Sequence, residues 1–168
     1  SLYVLLKTLT DPDRNIRLAT VRSLYKIRQA STASSLAIQL FEETDREIRD
    51  GILDVLAVLR KGGDLRGLQK VLYSDGEENL RVKAAFVLGI IREERAIPIL
   101  AGGLGDSSMR VRAEICGSLS MYRGRFVTET LMQTVKKDGD VYVRTAALYG
   151  LLGMKEKKMM IPLFDILA

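Results

Sequence analysis

The sequence predicts an all-α solenoid, a superhelix of about five helix pairs followed by one terminal helix. Three observations lead there. Residue columns recur with a single period of 31–33 residues, the mark of a repeat array. Apolar positions inside each unit follow helical rather than alternating spacing. No strand pattern competes with them.

The first helix of each unit is marked by an aliphatic pair. It occurs at Leu5 and Leu9, Leu36 and Leu40, Leu68 and Leu72, Leu100 and Leu104, then Leu131 and Val135, with Phe164 in a sixth, partial copy. Pro98 and Pro162 fall in the first turn of two of these helices, where a missing N–H costs little. The second helix opens on an aliphatic-Arg dipeptide: Ile16-Arg17, Ile48-Arg49, Leu80-Arg81, Val111-Arg112 and Val143-Arg144. Counting that aliphatic as zero, positions +4, +8 and +11 are mostly apolar and share one face. Three residues before zero stand Asp13, Asp45, Glu77, Ser108 and Asp140; Asp and Ser are good N-caps. Basic residues gather where these helices should end: Lys26, Arg28, Arg60, Lys61, Arg92, Arg95, Arg123, Arg125, Lys155, Lys157 and Lys158. Cations there oppose the helix dipole, or form a basic ridge along one edge. Gly62-Gly63 marks a turn between units.

The units run approximately 1–31, 32–63, 64–94, 95–125 and 126–158, with a partial copy at 159–168, in one domain spanning 1–168. The apolar opening Leu2–Leu6 and the closing segment Met159–Ala168 lack the polar outer face of capping repeats. The expectation is a fragment of a longer array, or end-to-end self-association.

Composition narrows function. The chain has 168 residues, net charge +5, one Cys and no His or Trp. Ser-His-Asp and Cys-His catalysis need a histidine, as do Cys/His zinc sites and His-ligated haem. One Cys forms no internal disulfide, and with no secretory or membrane-spanning pattern a cytoplasmic, non-enzymatic protein without cofactor or metal is expected.

The strings Leu80–Gly89 and Val143–Leu151 resemble the second helix of short HEAT-like repeats, the roughly 30-residue kind also found in phycobilin lyases. Ile97–Leu100 and Ile161–Phe164 resemble the start of the first helix. The resemblance covers nearly the whole chain. It implies a scaffold that binds partners on the concave surface lined by second helices. Two positions depart from it: Glu114 stands where a small residue is preferred, and Gly102-Gly103 interrupts the fourth first helix.

Several residues admit a chemical reading and a structural one. Arg17, Arg49, Arg81, Arg112 and Arg144 make either a nucleic-acid stripe or a structural ladder. An acid lies six positions before each, Asp11, Glu43, Asp75, Asp106 and Asp138. The ladder is preferred, because a guanidinium fork can hold a carboxylate and loop carbonyls together. Asp11-x-Asp13 and Asp138-x-Asp140 then serve as caps and ladder acids rather than cation ligands. Gly103–Ser108 lacks the preceding strand and third glycine of a phosphate loop and reads as a turn. Cys116 reads as a small packing residue.

The outward stripe of the second helices, positions +2, +6, +9 and +13, is the candidate site. It holds Leu18, Arg22, Tyr25, Asp50, Asp54, Val82, Phe86, Tyr149 and Leu152. Its twenty positions contain two basic and four acidic residues, although the chain as a whole is basic. A surface for phosphate backbones would cluster Lys and Arg; aromatic and aliphatic residues with a few acids suit a protein partner. The rival readings are a nucleic-acid binder that uses the basic edge and a phycobilin-lyase-like subunit.

Overall fold

A computed structural model describes residues 2–154, and among them the chain forms ten α-helices and no strand. They are α1 (Leu2–Thr8), α2 (Arg14–Ile27), α3 (Ala33–Glu42), α4 (Arg46–Leu59), α5 (Arg66–Ser74), α6 (Glu78–Ile91), α7 (Ala96–Gly103), α8 (Met109–Leu119), α9 (Arg125–Lys137) and α10 (Val141–Gly153). A 3₁₀ turn, Ala30–Thr32, leads into α3. Even-numbered helices pack on one another in one layer and odd-numbered helices form the other. The expected terminal helix, with Pro162 and Phe164, and the residues Lys155, Glu156, Lys157 and Lys158 lie outside the described residues.

The core lies between the layers. Leu36, Leu40, Leu68, Leu72 and Leu100 of the odd layer meet Ile48, Ile52, Leu56, Leu88, Val111 and Leu119 of the even layer, all buried. Ile16 breaks the pattern and is exposed, beside an α1 that contributes no buried residue. Gly102 and Gly103 fall in the last turn of α7. A Cβ on Gly102 would meet the Tyr73 hydroxyl, and one on Gly103 would meet Ile115 and Leu72. They let α7 seat on α5 and α8.

Asp13, Asp45, Ser108 and Asp140 accept backbone N–H groups at the starts of α2, α4, α8 and α10. Glu77 makes no such bond at α6; its longer side chain suits a cap less well. Arg28, Arg60 and Arg92 end α2, α4 and α6 in the left-handed conformation, at φ near 52–54°. Arg95 and Arg125 correct the reading of the basic edge. They stand at the N-terminal ends of α7 and α9, so they cannot oppose a second-helix dipole; Glu93 and Glu129 hold them instead.

Arginine forks link successive repeats. Arg17 donates from Nε to Glu43 at 2.8 Å and from Nη1 to the Asp11 carbonyl at 2.9 Å. Arg81 binds Asp106 at 2.7 Å and the Asp75 carbonyl at 2.9 Å. Arg112 binds Asp138 at 2.9 Å and the Asp106 carbonyl at 2.8 Å. Arg49 reaches Asp75, its Nε 2.9 Å from the carboxylate but too bent for a hydrogen bond while Nη2 donates at 3.3 Å. For Arg17, Arg81 and Arg112 the acid six positions before therefore offers its carbonyl where sequence spacing suggests its carboxylate, and the carboxylate comes from the following repeat. Arg49 likewise takes its carboxylate from the following repeat but donates to the Thr44 carbonyl, five positions before it, at 2.5 Å. Each of these carboxylates also accepts a loop N–H two residues on, as Asp106 does from Ser108 at 2.8 Å. Arg144 donates to the carbonyls of Asp138 and Gly139 at 2.9 and 3.1 Å.

Small residues set the spacing of the even layer. A Cβ on Gly89 would lie 2.7 Å from the Ser118 side chain and 2.9 Å from its Cα. The Ser118 hydroxyl donates to the Ala85 carbonyl at 2.9 Å, so α6 and α8 touch nearly backbone to backbone. Gly150 meets Ser120 in the same way. On the opposite side α7 and α9 leave a groove of about 490 Å³ lined by Ala101, Leu104, Phe126 and Lys137.

Three predictions test this framework. The Arg81 side chain is 14% exposed and Arg95 is 68% exposed. Arg81→Ala should destabilise by about 1–3 kcal/mol, having lost a charged, half-buried hydrogen bond; Arg95→Ala should cost less than about 0.5 kcal/mol. Chemical denaturation of the two variants gives the comparison, and equal losses would remove the ladder from the account.

Acid titration supplies the second. Burial pushes the Glu43 and Asp106 carboxyls up, but the hydrogen bonds from Arg17 and Arg81 and from loop N–H groups outweigh it. At Asp138 the Arg112 bond is the largest influence. All three lie below their ordinary values of 4.5 for Glu and 3.8 for Asp. Carboxyls depressed by folding stabilise the native state above their ordinary range and stop doing so as pH falls through the native values. Melting temperature should therefore drop steeply below those ordinary values. In Arg81→Ala the drop should be shallower; an unchanged profile would mean that the rungs do not titrate with folding.

Two glycines give the third. Gly89→Ala should destabilise, because the added carbon forces α6 from α8. Gly117→Ala, whose Cβ would meet nothing within 4 Å, should stabilise by about 0.5–1 kcal/mol through helix propensity. The opposite signs are readable from two melting curves.

Candidate interaction face

The outward stripe of the even layer is built by helices of 11–14 residues, about three to four turns each, held in register by the arginine forks. Its residues differ in how much they offer. Leu18 is only 9% exposed and belongs to the core; Gly51 lets α4 approach closely enough to cover it, since a Cβ there would sit 2.9 Å from Val21. Val82 is half-buried and packs on the core. These two are packing residues first. Tyr25 is exposed and lies under the Arg28 guanidinium, 5.6 Å from ring centroid to Cζ. Phe86, Tyr149 and Leu152 are 41%, 70% and 50% exposed.

Arg22, Asp50 and Asp54, in the N-terminal half of the stripe, are already paired. Arg22 binds Glu47 at 2.8 Å, and Glu47 is shared with Arg14. Asp50 and Asp54 both meet the ammonium of Lys83, at 2.6 and 2.7 Å. Burial lowers the Lys83 pKa, but its two carboxylates overcome that and the net direction is up. A shallow depression of about 390 Å³ runs between α2 and α4, lined by Leu18, Val21, Arg22, Tyr25, Asp50 and Asp54.

The C-terminal half is different. Phe86, Gly117 and Tyr149 hold the same register position on α6, α8 and α10. Space over Gly117 is open. One turn before it, Glu114 is half-buried. Its nearest donor is the Ser118 hydroxyl at 3.4 Å, and that hydroxyl gives its one proton to the Ala85 carbonyl at 2.9 Å. Burial pushes the Glu114 carboxyl above its ordinary value.

Sequence spacing singles out neither Lys83 as a partner of Asp50 nor Glu114 as a surface group. For Lys83 the signal was present: it follows Asp50 by 33 residues, one repeat plus one. A residue so placed lies against the stripe of the preceding helix.

Other candidate residues are absorbed by the fold. Cys116 is fully buried and its thiol is pushed up to about 12, chiefly by burial, so it stays protonated at neutral pH. Asp11 and Asp13 accept the N–H groups of Asp13 and Asn15. Gly103–Ser108 is a turn closed by Asp106 N–H on the Gly103 carbonyl. Arg28, Arg60, Lys61, Arg92 and Arg123 remain exposed along one edge. Among the described residues no helix is long and apolar enough to cross a membrane.

The model of a family described as HEAT repeats matches residues 65–152. The fold is shared with two engineered proteins of known crystal structure from the Northeast Structural Genomics Consortium. One superposes with a TM-score of 0.67 over 99% of this chain and 86% of its own, at 18% identity. The other gives 0.52 over 89% and 77%, at 20% identity. At that distance the likeness concerns the fold alone. No curated protein matches the sequence.

Proposed function

The chain belongs to the HEAT-repeat family, and from that premise we propose that it is a non-catalytic scaffold whose even-helix face binds a protein partner. The observation that carries this is the exposure of Phe86, Tyr149 and Leu152 on one continuous face. Core contacts do not account for side chains that stay this exposed, and aromatic residues on a rigid surface are the usual anchors of protein interfaces. Solenoids present such surfaces as their main asset. The stripe has few cations, and Arg22 and Lys83 are held by carboxylates, which disfavours a phosphate backbone as the occupant.

A specific observation favours the basic edge as a second reading. Arg28, Arg60 and Arg92 recur at intervals of 32 residues with the same left-handed backbone. That is a row of cations at helical-repeat spacing, and a nucleic acid is the ligand it would suit.

One experiment separates the two. Cellular proteins retained on the immobilised domain should be lost with Phe86→Asp plus Tyr149→Asp, while circular dichroism is unchanged. Unchanged retention places the ligand elsewhere. Duplex DNA retained in a steeply salt-dependent way, and released by Arg28→Ala, Arg60→Ala and Arg92→Ala together, would transfer the function to the edge.

A further inference from the structure

We infer that the C-terminal half of the even-helix face is a receptor for a short extended partner segment with one central Arg or Lys, which pairs with Glu114 while its apolar neighbours lie on Phe86 and Tyr149. This rests on the concave-face reading and names the partner's chemistry.

The argument begins with a contrast between two equivalent positions. Lys83 and Glu114 occupy the same place in successive repeats, three residues after the opening aliphatic. Lys83 reaches back to Asp50 and Asp54 on the preceding helix, so its charge is matched within the chain. For Glu114 the positions equivalent to Asp50 and Asp54 on the preceding helix are Val82 and Phe86, which carry no charge, and among the described residues its only hydrogen-bond neighbour is a hydroxyl committed elsewhere. Among the described residues no Lys or Arg forms an ion pair with it. A half-buried carboxylate left in this state is costly to the free protein, and the same burial pushes its pKa up.

The surroundings give the missing cation a place to enter. Gly117 leaves open space one turn along α8. On either side, at the same register, Phe86 and Tyr149 stand exposed. Two interhelical spacings of about 8–10 Å put their backbones roughly 16–20 Å apart. About five residues of extended chain cover that distance. A segment with an aliphatic or aromatic residue at each end and a basic residue in the middle matches the row: apolar contact, carboxylate, apolar contact. Arg or Lys beside an aromatic face gains further from the ring quadrupole.

The probe is a random library of peptides of about twelve residues, displayed on phage and selected against the immobilised domain. Selected peptides should carry a basic residue with apolar residues two or three positions away. Fluorescence polarisation should show affinity falling about ten-fold or more in Glu114→Gln, the loss of one charged hydrogen bond. Gly117→Phe should abolish binding by filling the slot. Both variants should keep the wild-type circular dichroism, and Glu114→Gln should melt no lower than wild type, because it removes an unpaired charge. Peptides without basic residues, no enrichment at all, or equal affinity for Glu114→Gln would overturn the inference. Binding lost in Phe86→Asp but kept in Glu114→Gln would overturn the counter-ion and leave the concave-face reading standing. Binding indifferent to all three substitutions would overturn both. A large fall in melting temperature for Glu114→Gln would make Glu114 a structural residue and overturn the inference as well.

Discussion

The architecture depends on a guanidinium held between two repeats. One edge of the fork donates to the carbonyl of its own inter-helix loop, and the other donates to the carboxylate of the next loop, as in Arg81 between Asp75 and Asp106. The same carboxylate closes that next loop by accepting its N–H groups. One side chain thus fixes the conformation of a turn, the distance to the following turn and the angle between them. A lysine could supply the charge but not the planar, multi-donor geometry. The hydrophobic layers provide most of the drive to stack; the forks select one register for it.

That register decides what the even-helix face looks like. Between α2 and α4 and between α4 and α6 the face pairs its own charges, Arg22 with Glu47 and Lys83 with Asp50 and Asp54. Where Gly89 meets Ser118, the helices close to near backbone contact, and side chains at the junction are squeezed outward or left without partners. The closeness of α6 and α8 brings Glu114 into a half-buried position without providing a cation for it. The two halves of one periodic scaffold therefore offer different chemistry to a ligand.

The period, the helix pairs and the cap residues were legible because each is a column of one residue type at a fixed interval. The direction of the forks was not. The acid six residues before an arginine and the acid 25–26 residues after it belong to one column, so spacing alone does not say which carboxylate is bound. Helical angle alone turns Leu18 outward, yet the glycine that lets α4 cover it lies 33 residues away. Spacing puts Arg95 and Arg125 at helix C-termini because short turns bring the end of one helix close to the start of the next in sequence. Burial at a junction is a property of two repeats together, and no single-repeat pattern encodes it.

The offset of the forks has a consequence for how such a chain can change over generations. The second, third and fourth units each carry one donor arm facing forward and one acceptor facing back, at the same positions. A whole unit could be copied or deleted by recombination, and the new neighbours would still find matching halves. The Gly89–Ser118 junction is less general: it recurs at the next junction with the roles exchanged, Ser120 against Gly150, but the two earlier junctions carry Tyr25 with Val55 and Ala57 with Val87 at those places. The array is accordingly interchangeable along its loops and individual along its helices. Length can evolve through the first property while a binding surface is kept by the second.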